Sequence, residues 1–386
     1  MSRNLNNETV AALKRLADAL KELDEKGKSV TTSKNLGIPL NHWREIPAEV
    51  EGAYKMLTEG ALLIKNISTK YTLMGKISVE DGSKYSTELR QGCELISTAA
   101  FLVHQPSCGC ARPTRSFIKQ KSRGIVNSVT SLVESFVSLK ALDGNVGAQI
   151  TGAVWQACDE LIEKIPKGNR ACMRRELFTW VLDCNETMQE FNELIEVGPL
   201  DTQDDETQPS EDYSGATGEQ YSSKEITIAS GSLALIKCSR GIINLALKAC
   251  ECAGEAVAKL EKESMDSEDK DAITVRKMVI LQWISNLHET CRKIGDGATD
   301  LGCAMYPPLN FSGAEEDWTN TELGNQVSQQ KAWLLSGAHS IHNPILGECQ
   351  LEIVMSDEVM EMCSKLLSAI EKRAEEVEDG IKNAIM

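Results

Sequence analysis

A chain of 386 residues with 41% hydrophobic content has room for two domains of ordinary size and enough apolar side chains to build cores, which excludes wholesale disorder. Only 10 prolines and 5% aromatic residues argue against a β-sandwich and for helices. A formal net charge of -16 repels phosphate backbones and anionic lipid, so direct nucleic-acid binding and membrane docking are disfavoured while basic protein faces are favoured.

The start, Met1 to Asn7, has no apolar signal-peptide core, and no stretch approaches the roughly 20 apolar residues that cross a bilayer. The 13 cysteines are scattered singly through helical patterns. They read as reduced, mostly buried thiols of the cytosol or nucleus.

In chain order, Leu5, Val10, Leu13, Leu16, Leu20 and Leu23 place a first helix up to Lys26, with Gly27 as its stop. Residues 28–45 read as a connector. Pro47 starts a long helix with the stripe Val50, Tyr54, Leu57, Ala61, Ile64 and Tyr71, ending near Gly82. Another helix runs from about Lys84 to His104, and Pro106 to Pro113 is a loop. The next stripe is Ile118, Ile125, Val129, Leu132, Phe136 and Leu139, closed by Asp143-Gly144-Asn145.

Two helix patterns then meet at Ile165-Pro166-Lys167-Gly168-Asn169. The second carries Leu177, Val181, Cys184, Met188, Phe191 and Ile195. From 196 to 225 the chain turns acidic (Asp201, Asp204, Asp205, Glu206, Glu211, Asp212) and offers almost nothing to bury, which marks a disordered linker. Beyond it come a heptad-spaced helix from Leu235 to Ala256 and a helix opening at Ser267-Glu268-Asp269. A break follows at Tyr306-Pro307-Pro308, then a helix from about Glu315 to His339 and a last helix from Asp357. No segment shows strand alternation.

The expected fold is therefore all-α, with long antiparallel amphipathic helices in two bundle-like halves joined by an acidic linker. The expected divisions are 1–45 (N-terminal helix and connector), 46–195 (first bundle), 196–225 (linker) and 226–386 (second bundle).

Catalytic patterns are weak. Cys108-Gly109-Cys110, near His104 and Cys93, lacks zinc spacing and a second pair, and reads as a loop with exposed thiols. His339 and His342, with Cys349 nearby, read as a helix end. Gly144-Asn145-Val146-Gly147 has neither the preceding strand nor the third glycine of a dinucleotide fingerprint. We assign no catalytic, cofactor or metal residue.

Two basic clusters stand against the acidic whole: Arg112, Arg115, Lys119, Lys121 and Arg123, and Lys164, Lys167, Arg170, Arg174 and Arg175. The second is the candidate partner-binding cluster, suited to an acidic or phosphorylated segment, although a solvated helix face is the plainer reading. In the linker, Thr202 and Ser210 precede acidic residues and are candidate phosphorylation sites.

Val154-Trp155-Gln156-Ala157-Cys158, Ile165-Pro166-Lys167-Gly168-Asn169, the acidic break at 201–225 and Tyr306-Pro307-Pro308, in that order, resemble the cyclin-D-binding (cyclin-D-interacting) protein family, more its plant members than its animal ones. The resemblance covers roughly 46–386; the first 45 residues match poorly, and Cys108-Gly109-Cys110 is not a family feature. It implies a two-part helical protein of nucleus and cytoplasm without catalysis or cofactor. Such a protein binds D-type cyclins or sequesters helix-loop-helix transcription factors, restraining the cell cycle or transcription. A helical-bundle structural adaptor of the vinculin kind, binding a partner helix, is the alternative. A thiol- or metal-dependent enzyme built on Cys108 and Cys110 is a third reading.

Overall fold

The computed structural model describes residues 2–30, 40–74, 79–138, 144–199, 220–266, 269–311, 317–346, 349–351 and 353–385. Among them are ten α-helices: α1 (Ser2–Val30), α2 (Ala48–Met74), α3 (Val79–Val103), α4 (Arg112–Val137), α5 (Gly144–Lys164), α6 (Gly168–Glu196), α7 (Ser223–Asp266), α8 (Lys270–Ala304), α9 (Glu322–His342) and α10 (Asp357–Ile385). The fold is all-α, as expected. One departure is a small antiparallel hairpin in which Ile345 pairs with Gln350 and Leu346 with Cys349. Two-residue strands are too short to leave an alternating signature.

The chain divides into two compact units, Met1–Met173 and Arg174–Met386. The sequence places the division in the acidic stretch 196–225; in the structure it falls inside α6. Residues 174–196 carry their own apolar stripe, which is buried in the second unit: the Trp180 ring lies tilted against His288 of α8, 5.3 Å between ring centroids. Within the expected segment 1–45, α1 packs on α3 and α4 of the first unit. The linker residues 200–219 lie outside the described residues.

In the first unit, α1 lies against α3 and α4, α2 against α3 and α5, and α4 against α5, so five helices close a ring. Leu13, Leu57, Ile64, Leu89, Ile96, Ile125, Leu132 and Leu161 fill it, each 1% exposed or less. Fully burying one such side chain contributes roughly 1.5–3 kcal/mol before chain entropy is set against it. Helices α2 and α3 cross at two glycines. A Cβ on Gly60 would sit 2.7 Å from Ile96 Cγ1 and 3.1 Å from Gly92 O, and a Cβ on Gly92 would sit 2.6 Å from Ile64 Cγ1.

Several helix ends differ from expectation. Helix α1 runs to Val30, past Gly27. Helix α2 ends at Met74, so Gly82 falls in the first turn of α3, where a glycine is tolerated. Thr321, whose hydroxyl accepts from the N–H of Gly324 at 2.9 Å, caps α9, so that helix begins later than Glu315 and continues to His342.

In the second unit, α7 lies against α8 and α10, and α9 completes a four-helix ring with them. Ser222 and Glu225 form a capping box at the start of α7: Ser222 N–H donates to Glu225 Oε2 at 2.7 Å, and Glu225 N–H donates to Ser222 Oγ at 3.3 Å. The other carboxylate oxygen of Glu225 accepts from Leu309 N–H at 2.6 Å, tying the turn after α8 to this end of α7. Inside the ring, Gln330 Nε2 donates to Ser239 Oγ at 2.7 Å and to Ile294 O at 3.0 Å. One sequence reading needs correction: Ser223–Ser264 is long and apolar enough to cross a membrane by length and composition. Of its most apolar window, 61% is buried inside the protein, as in the core helix of a bundle.

The two kinds of helical glycine separate sharply. Gly60→Ala is expected to cost about 1–3 kcal/mol because the α2–α3 crossing must open. Gly124→Ala on α4, whose Cβ would meet nothing within 4 Å, is expected to stabilise by roughly 0.5–1 kcal/mol. Urea unfolding midpoints of the two variants, moving in opposite directions, check this.

Candidate interaction surface

The segment Ile165 to Asn169 forms one corner of the first unit, and Asn169 is its centre. The side chain is fully buried and makes four hydrogen bonds. Its Oδ1 accepts from Ala111 N–H at 2.7 Å and Thr114 Oγ1 at 3.4 Å. Its Nδ2 donates to His42 O and Gly109 O, both at 2.9 Å. Three separate stretches meet there: residues 40–43, the loop before α4, and the start of α6.

Neighbouring contacts lock the same corner. Arg170 N–H donates to Trp43 O at 3.3 Å. Tyr54 of α2 takes the Gly168 N–H at 3.0 Å and gives its hydroxyl proton to Pro166 O at 3.4 Å. Gly168 holds φ at 81° and Gly109 at 53°, the left-handed region that favours glycine. At Gly109 a side chain would also strike Asn41, whose Cγ is 2.3 Å from where a Cβ would lie. Asn41 in turn donates to Ser107 O at 2.8 Å.

This corner corrects two expectations. Residues 40–45 are not a bare connector, since Leu40, His42 and Trp43 are each 3% exposed or less. The Cys108-Gly109-Cys110 loop does not present exposed thiols: Cys108 and Cys110 are buried. Burial, and then the neighbouring cysteines Cys108 and Cys172, push the Cys110 thiol up to about 12, the opposite of what a nucleophile needs. The described residues hold no group of three or more metal-ligating side chains. His104 turns its Nδ1 to Ala100 O at 2.7 Å.

Trp155 lies on the seam between α2 and α5. Its indole N–H is shared between Lys65 O and Ser68 Oγ, each at 3.2 Å. Lys65 Nζ bonds both oxygens of Asp159, at 2.6 and 2.8 Å, and stands 5.9 Å from the Trp155 ring centroid. The ring is thus held in a fixed pose while remaining 39% exposed. On α2, Leu62 and Leu73 are 47% and 66% exposed. A clamped, half-exposed tryptophan with exposed leucines on the adjoining helix is the composition of a protein-binding surface.

The candidate basic cluster is divided. Lys164, Lys167 and Arg170 belong to the first unit, Arg174 and Arg175 to the second. Within the second unit Arg174 pairs with Glu251 at 3.6 Å and lies 5.4 Å over the Phe178 ring. In the other cluster Lys121 pairs with Glu160 at 2.6 Å. Thr202 and Ser210 lie outside the described residues. Tyr306 leans its ring on Phe191 at 5.1 Å and donates its hydroxyl to Glu190, and the Pro307–Pro308 bond is cis. Ser222 and Glu225 have the spacing of a capping box, a signal the helix pattern above does not use, whereas the roles of Asn41, His42 and Trp43 leave no sequence signal.

Fold and surface together define an all-helical, two-unit protein with a clamped, partly exposed tryptophan on its first unit. Residues 56–197 match the family described as Grap2 and cyclin-D-interacting, N-terminal. No curated protein matches the chain. The matched region takes in Trp155 and Ile165 to Asn169; Tyr306-Pro307-Pro308 lies beyond it.

Asn169→Ala would leave the Ala111 N–H and the His42 and Gly109 carbonyls buried without their partner. The expected cost is about 2–5 kcal/mol, with faster amide exchange around Ala111, read by hydrogen exchange and by the unfolding midpoint.

Proposed function

We propose that the chain is a non-enzymatic regulatory interaction protein of nucleus and cytoplasm. It restrains cell-cycle progression or transcription by binding a D-type cyclin, a helix-loop-helix transcription factor, or both. The observation that carries this is the match of residues 56–197 to the family described as Grap2 and cyclin-D-interacting, N-terminal. The buried thiols with raised pKa and the clamped Trp155 ring on an exposed face support a binding role over a catalytic one.

The physical mechanism is apolar packing against a helix face, with the net charge of -16 drawing in partners that carry basic surfaces. A basic helix-loop-helix region is such a partner, and an acidic competitor would keep it from DNA without touching DNA itself.

The test is calorimetric titration of the full chain with a D-type cyclin and, separately, with a basic helix-loop-helix dimerisation domain, at low and high salt. Saturable binding to at least one is expected. Affinity for the basic domain should fall several-fold at high salt through screening. Absence of binding to both would remove the reading, and salt-independent binding would remove the electrostatic mechanism.

A further inference from the structure

In the second unit, the outward face of α6 carries Phe178 and Leu182, 43% and 58% exposed. Single exposed apolar residues are ordinary. These two open a continuous stripe, followed by Glu186, Gln189, Glu193 and Glu196 at steps of four, three, four and three residues, all exposed. At about 100° per residue the six positions share an arc of roughly 80°. The opposite side of the same helix is core: Leu177, Trp180, Val181, Cys184, Met188 and Phe191 are buried.

From Phe178 to Glu196 the helix's own charges on this face are all negative, with Arg174 and Arg175 only at its start. No Lys, Arg or His occurs between Arg175 and Lys224 in the sequence. Glu193 accepts from Gln189 at 3.0 Å, and Glu190 accepts the Tyr306 hydroxyl; neither contact neutralises a carboxylate. Burial, and then the charge of Glu186, raise the Asp183 carboxyl above its usual range.

We propose that the exposed face of α6 docks an amphipathic partner helix whose apolar side chains, one turn apart, cover Phe178 and Leu182 and whose lysines or arginines meet Glu186, Glu193 and Glu196. The apolar pair supplies the affinity, while the carboxylates set register and speed of encounter. A second copy of the chain is the weaker occupant, because Arg174 at the basic end of the same face is already paired with Glu251. The proposal rests on reading the chain as an interaction protein, but not on which partner it binds.

The probe is a fluorescent leucine–lysine helical peptide of about 21 residues, six turns, with its leucine–glutamate counterpart as control. Both are titrated into the full chain at near-physiological salt. The leucine–lysine peptide is expected to saturate at one per chain. The variant Phe178→Ala/Leu182→Ala should bind it at least about tenfold more weakly. Glu186→Lys/Glu193→Lys should weaken it too and admit the leucine–glutamate peptide. All four side chains are exposed, so the variants should keep the natural melting temperature.

Equal binding of the leucine–lysine peptide by the natural chain and the Phe178→Ala/Leu182→Ala variant would overturn the proposal, since net charge alone would then explain the attraction. So would no binding, or equal binding of both peptides. A dimer of the natural chain in sedimentation that the apolar variant dissolves would overturn it in favour of a second copy. Titrating the same variants with a D-type cyclin separates the two readings: peptide binding absent with cyclin binding intact sinks only the α6 proposal.

Discussion

One buried carboxamide, that of Asn169, determines how the first unit closes. From the start of α6 it reaches four partners on two stretches of chain far from it in sequence: His42, and Gly109 to Thr114. In an apolar interior each of those partners would otherwise be left without a hydrogen bond, at a cost of about 1–3 kcal/mol apiece. The arrangement is specific because an amide offers two donors and two acceptor sites in fixed geometry, which neither Asp nor Leu reproduces. The glycines at 109 and 168 let the backbone approach that side chain, and Tyr54 brings α2 to the same corner.

The second unit uses the same device at different places. Glu225 closes the capping box of α7 and holds Leu309, and Gln330 bridges Ser239 and Ile294 inside the four-helix ring. Between these polar fixtures, regular apolar stripes do the packing. The polar groups specify which arrangement of those stripes is adopted, as expected when burial is non-directional and hydrogen bonds are not.

Most of the helices were legible because their apolar stripes are long and keep the 3.6-residue period; Leu57, Ile64, Ile125 and Leu132 are all buried where the pattern puts them. Helix ends were less so. Gly27 and Gly82 looked like stops, yet a helix in tertiary contact overrides the propensity of a single glycine. Composition marks a linker at 196–225, whereas contacts decide to which core a helix such as α6 belongs and divide the units inside it. The site was the least legible part. Trp155 and Asn169 were visible as motif residues, but their roles come from long-range hydrogen bonds to Lys65, Ser68, His42 and Ala111, which no local pattern encodes. The Cys108-Gly109-Cys110 loop looked exposed from its proline and glycine content; Asn169 and residues 40–43 draw it inward.

We propose that the region matched over 56–197 is a protein-binding module, with a D-type cyclin as its first candidate partner. Hydrogen–deuterium exchange of the full chain with and without a D-type cyclin tests it most directly. The account predicts new protection on peptides from α2 to α6, with α8 to α10 unchanged. Saturating cyclin that protects nothing between Ala48 and Glu196, or that protects only the helices after α6, would contradict it.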